Sequence, residues 1–475
     1  MLAASLGLLA GSAILQACAP SAPPTPTAAP KPTEAPKPAA AAPTQAPAAP
    51  TSAPAAAAPK PTDVPKPTEA PKPTEAPKPT AAAAAKPAAG ATTVTHWTWT
   101  DNPTQQKDYE TVLKKFNEQN TNVQVKWDFL PTGIETRQKV LTSFAAGGAP
   151  DNSQLSESWL AEFYDGKIID PAEERIKAWD KGKELYENVL EMSRILPKNP
   201  VLYVPNRVLV DMLYYRKDWF DQAGLKPPDT YDDLLAAGLK LAKPGERAAF
   251  AMRGGDSNGT GQMNSLLYGN GVKIVDETGK VDHDSPEAIA GCEAFISWYT
   301  KHKICQDSAP SDKYPQLFAA FEAGKVAMLH HGLHSWETQQ KALGDKVAAT
   351  MIPKGKVKRF IGAGGHGTVM YSSSKQKDAS WLVAAYLATA EGAKMFVDWG
   401  AAPANKQLAE LPAFKTNDFY KVALASQPFW GASPTWYKYW PKYFDNWPPN
   451  FQRALKGEIT PEQFAKTMAK ILREG

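Results

Sequence analysis

The chain has 475 residues, 43% of them hydrophobic, and a formal net charge of +4. A chain of this length can bury a large core, and its length alone allows about three domains. The small net charge gives no electrostatic reason for a nucleic-acid partner, so a DNA-binding protein is disfavoured.

Residues 1–18 form an apolar run that ends in Cys18. The run is too short for a permanent membrane-spanning helix but suits the apolar core of an export signal. Its last four residues, LQAC, resemble the lipobox of bacterial lipoproteins, and this implies a lipid on Cys18 that anchors the chain to the membrane. The alternative is an apolar terminus with a chance cysteine. No Lys or Arg precedes the run, so either the true start lies upstream or the signal is atypical.

Residues 19–92 consist almost wholly of Pro, Ala, Thr and Lys and contain the repeat KPTEAPKPTEAPKPT at 66–80. Such a segment cannot bury apolar surface, so we expect a disordered spacer rich in polyproline II. All 14 tryptophans lie at or after Trp97. Folding is therefore predicted to begin near Thr93.

The elements after Thr93 alternate between strands and helices. Residues 93–99 predict a strand, the spacing of Tyr109, Val112, Leu113 and Phe116 predicts a helix, and residues 122–130 predict a second strand. This βαβ unit implies parallel strands in a sheet covered on both faces. Further helices are predicted at 231–241, 286–299 (with Ser285 in the capping segment) and 379–387, and further strands at 326–331 and 348–353.

Two cysteines remain besides Cys18. Cys292 and Cys305 are thirteen residues apart across a predicted helix, which separates their Cα atoms too far for a disulfide. We expect both to be buried free thiols.

The order of several segments resembles the extracytoplasmic solute-binding proteins of bacterial ABC importers, in the sugar-binding group called family 1. The matching segments are HWTW (96–99), FNEQNTNVQVKWDFLP (116–131), SFAAGGAPD (143–151), LYYRKDWFDQAGLKPPDTYDDLLAA (213–237), DETGKVDHDSPEAI (276–289), FEAGKVAM (321–328), HHGLHSW (330–336) and GAGGHGTVMYSSSKQKDASWLVAAYLAT (362–389). The resemblance implies an α/β fold of the periplasmic-binding-protein type, with two α/β lobes joined by crossing hinge strands around a cleft. We expect lobe 1 at about 93–208 plus 363–400, and lobe 2 at about 209–362 plus part of 401–475.

Ligands of such folds bind beyond the carboxyl ends of strands, where loops converge. A carbohydrate site needs flat aromatic platforms with polar side chains at their edges, and glycines that let the backbone come close to the ligand. These criteria select Trp99, Asp101, Ser156, Glu157, Trp159, Asn206, Arg207, His331, His334, Trp336, Gly364, Gly365 and His366. Trp97 is expected in the core. The aromatic run at 429–447 either adds a wall to the cleft or packs a lobe.

The segment MLHHGLHSW, residues 328–336, raises the question of a zinc site because His330 and His334 are four apart. Zinc-binding pairs at this spacing need a helix, whereas a strand followed by Gly332 is expected here. We interpret the segment as a strand, a glycine loop and a cleft aromatic, Trp336, with no metal and no cofactor. Five of the seven histidines (His96, His330, His331, His334, His366), together with Arg207 and Arg253, raise the hypothesis of an acidic solute such as a sugar acid.

The predicted function is that of a lipid-anchored binding component on the extracytoplasmic face of the bacterial membrane. It would capture a carbohydrate by hinge closure, as a monomer, and deliver it to the ABC permease. A surface-anchored carbohydrate-processing enzyme is the alternative, and Asp101, Glu157 and Asp256 are its available acids, although no spacing marks a catalytic pair. A passive adhesin and a receptor for another non-sugar solute also remain open.

Overall fold

A computed structural model describes residues 90–131 and 134–475 of the chain. The predicted export signal, Cys18 and residues 19–89 of the predicted spacer lie outside these residues. Contacts divide the chain into Met1–Lys78 and Pro79–Gly475, and the fold below is that of the second unit. Among the described residues, none of the helices has both the length and the apolar character needed to cross a membrane.

The strands of the described part are mostly short, and two long ones stand out. They are β1 Thr92–Trp99, β2 Val123–Leu130, β3 Asn152–Ser156, β4 Ile169–Asp170, β5 Val204–Arg216, β6 Ala248–Phe250, β7 Val326–Gly332, β8 Val347–Thr350, β9 Ile361–Tyr371, β10 Ala402–Pro403 and β11 Trp430–Gly431. The two long strands, β5 and β9, are the crossing strands of the fold.

The helices lie between the strands and make up most of the last 75 residues. They are α1 Pro103–Gln119, α2 Ile134–Ala145, α3 Leu160–Asp165, α4 Glu173–Ala178, α5 Glu187–Met192, α6 Lys217–Gln222, α7 Tyr231–Leu241, α8 Thr260–Gly269, α9 Pro286–Thr300, α10 Tyr314–Glu322, α11 Trp336–Leu343, α12 Lys377–Ala388, α13 Ala390–Asp398, α14 Pro412–Thr416, α15 Asp418–Ala425, α16 Trp440–Leu455 and α17 Pro461–Glu474.

The strand order is β2-β1-β3-β9-β5-β7-β6, with β4 and β11 beside β9 and with β8 and β10 beside β5. The first part of β5, Val204–Val210, pairs antiparallel with β9, whereas Asp211–Arg216 pairs with β7 and β8. The other end of β9 pairs with β3. Two groups of strands, each covered by helices, are thus connected through β5 and β9, and this is the two-lobed α/β architecture expected from the sequence. The predicted lobe boundaries at 208/209 and 362/363 fall inside these two strands, the one at 400/401 lies between α13 and β10, and all three stay a prediction.

The predicted βαβ unit is confirmed, because β1 and β2 pair in parallel and α1 connects them in the chain. The helix begins after Asn102, whose side chain accepts hydrogen bonds from the backbone amides of Thr104 and Gln105. Tyr109, Leu113 and Phe116 are its buried residues, so the period of the apolar residues matches the face that packs on the sheet.

The other predicted elements are confirmed with small shifts in their ends. Helix α7 has the predicted bounds, and Ser285 caps α9 by accepting from the amide of Ala288. Strand β8 is shorter than predicted and ends at Thr350. Cys292 and Cys305 are buried free thiols, as predicted, and burial raises the pKa of Cys292 to about 12.

Candidate functional site

The crossing strands β5 and β9 form a floor that is partly open to solvent. Gly362, Gly364 and His366 alternate along β9 and so share one face of it, and each of the three is partly exposed. On β5, Leu209 pairs with Gly364 and is also partly exposed. Most other residues of the two strands are buried, so these positions mark a surface between the lobes that the protein leaves uncovered.

Glu157, which follows β3, lies over this floor. A Cβ atom added at Gly364 would be 3.1 Å from Glu157 Oε1, so glycine is what lets the carboxyl group lie against the strand. Ser156 Oγ donates a hydrogen bond to Glu157 Oε2 at 3.2 Å. Burial raises the pKa of Glu157 to about 7, against the weaker lowering effects of its own backbone amide and of Ser156. Glu157 therefore holds its proton more tightly than an ordinary carboxyl group does.

Two tryptophans and a histidine surround the same place. The rings of Trp99 and Trp159 have centroids 5.2 Å apart, and the Trp99 ring lies 6.5 Å from that of His366. The sequence placed Trp99, Ser156, Glu157, Trp159, Gly364 and His366 at one site, and the structure brings these residues together. Burial, with a smaller contribution from Arg207, lowers the pKa of His366 to about 3, so its imidazole is neutral.

A cavity of about 460 Å³ opens next to this cluster and includes Glu157 in its wall. Helices and loops that come before β5 (157–195) and after it (268–277) line it, together with residues 358–360 and 430–436. The lining residues are Glu157, Leu160, Ala161, Asn188, Glu191, Met192, Arg194, Ile195, Tyr268, Lys273, Val275, Glu277, Lys358, Phe360, Trp430, Ala432, Ser433, Pro434, Thr435 and Trp436. The volume suits a small-molecule ligand.

The aromatic run at 429–447, which the sequence left open, divides between two roles. Trp430 and Trp436 line the cavity, whereas Trp440, Tyr443 and Trp447 are buried in the core. Strand β11, which carries Trp430, pairs with the first residues of β9, and Trp430 Nε1 donates to Ser426 Oγ at 2.8 Å. No local sequence pattern indicates this pairing, because the paired residues are about 70 positions apart in the chain.

Asn206 and Arg207 lie at an irregularity in the pairing of β5 with β9. Both are buried, and the Arg207 guanidinium lies 4.3 Å from the centre of the Phe396 ring and 3.3 Å from Asn206 Oδ1. Within the described part of the chain Arg207 forms no ion pair, and neither residue is among those lining the cavity. Asp101 is exposed, just before α1.

The histidines of the second lobe form a separate cluster at the end of β7. The His331 ring stacks on Tyr314 at 4.2 Å and lies 5.1 Å from His334, and His331 Nδ1 is 2.7 Å from Ser335 Oγ. Burial lowers the pKa of His331, to about 3, and that of His334. Across residues 90–131 and 134–475 no group of three or more His, Cys, Asp or Glu side chains is arranged to hold a metal ion.

Asp211 connects this cluster to the floor, and sequence reasoning missed it. His330 Nε2 is 3.2 Å from Asp211 Oδ2, and a Cβ atom added at Gly362 would be 2.7 Å from the same oxygen. Burial opposes ionisation of Asp211, but the hydrogen bond from His330 is the main influence in the other direction, and the pKa of Asp211 is lowered. Alternation along β5 puts Asp211 on the face of Leu209, and this was the signal available in the sequence.

Three sequence expectations need correction. The glycine loop is absent: β7 continues through Gly332 into a 3₁₀ turn, and Trp336 is the first residue of α11. Trp336 is 7% exposed and stacks on Phe419 at 4.1 Å with a 6° interplanar angle, so a core residue already occupies the ring face that a solute would need. His96 is fully buried between Asn152 and Tyr109, away from any cleft.

A fourth correction concerns Gly365. It is buried and belongs to the opposite face of β9, where an added Cβ atom would overlap Tyr203 Oη. Its lack of a side chain therefore makes room for Tyr203 and not for a ligand. Trp97, expected in the core, is partly buried and donates from Nε1 to Asp128 at 3.0 Å.

Comparison with known proteins identifies the family. The sequence profile of the bacterial extracellular solute-binding proteins matches residues 100–394, more than half of the chain. A binding protein of Brucella abortus (strain 2308) is 26% identical over 320 residues, which cover 65% of this chain and 75% of the relative. The mannitol-binding protein of Pseudomonas aeruginosa is 23% identical over 335 residues, covering 66% of this chain and 72% of the relative.

Solved structures support the same fold. The sugar-binding protein MalE of Xanthomonas citri aligns with a TM-score of 0.72 at 19% identity, over 80% of this chain and 97% of that one. The GacH receptor of Streptomyces glaucescens, solved unliganded and with acarbose, aligns with a TM-score of 0.68 at 23% identity, over 81% of this chain and 99% of that one. With a two-lobed fold and a profile match over residues 100–394, this chain belongs to the bacterial extracellular solute-binding protein family.

Proposed function

We propose that this protein captures a carbohydrate in the cavity beside Glu157 and delivers it to the permease of an ABC importer. The observation that carries the proposal is the composition of the cavity wall, in which Trp430, Trp436, Tyr268 and Phe360 accompany the carboxyl and amide groups of Glu157 and Asn188. Aromatic rings pack against the C–H faces of sugars, and polar groups at their edges meet the hydroxyls. The sugar-binding protein MalE, the GacH receptor solved with acarbose and the mannitol-binding protein favour the same class of solute.

Capture is proposed to occur by hinge closure. Strands β5 and β9 connect the two groups of strands, and the cavity is lined by segments that come before β5 and after it. A solute that touches both lobes binds more tightly to the closed form, so it shifts the population towards closure. Small-angle scattering of the protein should therefore report a smaller radius of gyration with solute than without it. A passive adhesin would show no change.

The solute is tested by calorimetry of the protein against a panel of mono- and oligosaccharides, their amino derivatives and polyols. Trp430→Ala should weaken binding of any sugar that binds by about 1 to 3 kcal/mol, because the variant loses ring stacking and apolar burial. Trp219→Ala is the control, since Trp219 lies between Arg216 and Arg247 and does not line the cavity. Equal losses in the two variants, or no binding by any member of the panel, would refute the proposal.

The membrane anchor is proposed from the lipobox resemblance alone. A lipid on Cys18 would keep the binding domain at the extracytoplasmic membrane face while the proline-rich segment separates the two. Cys18→Ser should move the protein from the membrane fraction to the soluble fraction in cell fractionation. Retention of this variant in membranes would contradict the lipid at Cys18.

Binding without turnover is part of the proposal. The family is one of binding proteins, and Asp256, one of the acids available to an enzyme, is in an ion pair with Arg253. Incubation of the protein with glycans, followed by chromatography of the products, tests this point. Any protein-dependent hydrolysis would support the enzyme alternative.

The sugar-acid hypothesis loses most of its electrostatic support. His331 and His366 are neutral because burial lowers the pKa of each, and Arg253 is paired with Asp256. Arg207 keeps its charge but stacks on Phe396 and is not among the cavity residues. A neutral or cationic carbohydrate suits the cavity better.

A further inference from the structure

The charges that line the cavity are not all compensated. Of its acids, Glu191 pairs with Arg194 at 3.1 Å and Glu277 pairs with Lys273 at 3.2 Å. Within the described residues Glu157 has no Lys or Arg partner, and the side-chain donor that it meets is the hydroxyl of Ser156. Glu157 is therefore the acid of the cavity wall that lacks a cation.

The surroundings of Glu157 make its ionised form unfavourable unless a ligand compensates the charge. Burial is the largest influence on this carboxyl group and raises its pKa to about 7. A partly desolvated carboxylate is stabilised far better by a positive charge than by a neutral hydroxyl. Glu157 lines the cavity, so a bound solute would bring such a charge to it there.

The aromatic residues of the same wall favour a cation as well. Tyr268 and Phe360 have ring centroids 4.4 Å apart, and Trp430 and Trp436 complete the aromatic part of the lining. The faces of aromatic rings carry negative electrostatic potential and attract ammonium groups, most strongly when water is excluded. The carboxyl group of Glu157 and the aromatic rings of the cavity wall therefore both favour a bound cation.

We propose that the natural solute carries a protonated amino group, as an amino sugar or an amine-bearing oligosaccharide does, and that Glu157 is its counter-ion. This inference rests on the proposed function, because it assumes that the carbohydrate occupies this cavity. Lys358 also lines the cavity, but it is exposed and lies 5.9 Å from the Phe360 ring. Its charge remains solvated and opposes a bound cation only weakly.

The test compares sugars that differ in one substituent. Calorimetry at pH 7.5 measures the affinity of the full chain for three sets of sugars. The first set is glucose, glucosamine and N-acetylglucosamine, and the second is cellobiose with its diamino and diacetamido counterparts. The third set is α-linked disaccharides with and without an amino group. The amino member of at least one set should bind tenfold or more tightly than its hydroxyl and acetamido partners. Glu157→Gln should abolish that preference, because glutamine keeps the shape and hydrogen bonds but loses the charge.

Glu162→Gln is the matched control. It makes the same change five residues later, in α3, at an acid that pairs with Arg137 and does not line the cavity, so the preference should persist. The affinity of wild-type protein for the amino sugar should also rise between pH 5.5 and 7.5 as Glu157 ionises, and this rise should be absent in Glu157→Gln.

The outcomes separate this inference from the proposed function. If neutral sugars bind and amino sugars bind no more tightly, or if Glu157→Gln keeps an amino preference, the counter-ion role of Glu157 is wrong while the carbohydrate cavity stands. If no sugar of any set binds, both are wrong.

Discussion

Replacing Glu157 with glutamine should stabilise the protein at alkaline pH and have less effect at acidic pH. Burial raises the pKa of this carboxyl group from its ordinary 4.5 to about 7 in the folded state. The native protein therefore holds the proton more tightly than the unfolded chain does. Native stability from this group is present below pH 4.5, falls as the pH rises from 4.5 to 7, and is lost above pH 7.

The size of the effect follows from the two pKa values. A tenfold change in an acid constant corresponds to about 1.4 kcal/mol, so a rise from 4.5 to about 7 sets a ceiling of about 3 kcal/mol on the cost of ionising Glu157. Glu157 is partly exposed, and solvent screening reduces this figure. We expect Glu157→Gln to gain about 1 to 2 kcal/mol relative to wild type on going from pH 5 to pH 8.

Urea unfolding followed by tryptophan fluorescence, at pH 5 and pH 8, measures the difference. Glu162→Gln serves as the control, because that acid pairs with Arg137 on the surface of α3 and should show no such gain. If the stability difference between Glu157→Gln and wild type is the same at both pH values, the carboxyl group is not desolvated as the structure indicates. The reasoning about its uncompensated charge would then fail.

Two further predictions concern packing. Trp336→Ala should lower the free energy of unfolding by about 3 to 5 kcal/mol in urea titrations, because it removes a buried ring that stacks on Phe419. A Trp336→Ala protein as stable as wild type would contradict that stacking. Gly364→Ala should mainly weaken solute binding in calorimetry, because the new methyl group displaces Glu157. Gly365→Ala should mainly lower the melting temperature, because its methyl group overlaps buried Tyr203. The reverse pattern would mean that the two faces of β9 are assigned wrongly.

The fold was largely predictable because its elements have strong local signals. In α1 the apolar residues recur at helical spacing, and Asn102 followed by Pro103 marks the start. In β1 and β2 the β-branched and aromatic residues mark parallel strands joined by that helix. Each of these patterns involves only residues that are close together in the chain.

The site was less predictable because it depends on which way each side chain points. Loops after strands selected Trp99, Glu157 and Trp159; the rings of Trp99 and Trp159 do meet, and Glu157 lines the cavity. Gly365 lies within β9, one step from Gly364, and faces the interior because one step along a strand reverses the face. Trp336 begins α11 and packs on Phe419 in the core. Trp430 reaches the cavity through a pairing with β9 that no local pattern reveals.

Glycine at two positions of β9 explains how a single strand brings two acids to the same floor. A Cβ atom added at Gly362 would be 2.7 Å from Asp211 Oδ2, and one added at Gly364 would be 3.1 Å from Glu157 Oε1, so glycine at both positions gives the two carboxyl groups room against the strand. The two acids then differ in compensation. Asp211 receives a hydrogen bond from His330 and its pKa is lowered, whereas Glu157 has no Lys or Arg partner among the described residues and burial raises its pKa. Asp211 is thus an ionised hydrogen-bond acceptor, whereas Glu157 can lose its proton when a cationic ligand binds. A cationic group of the solute is therefore stabilised most by contact with Glu157.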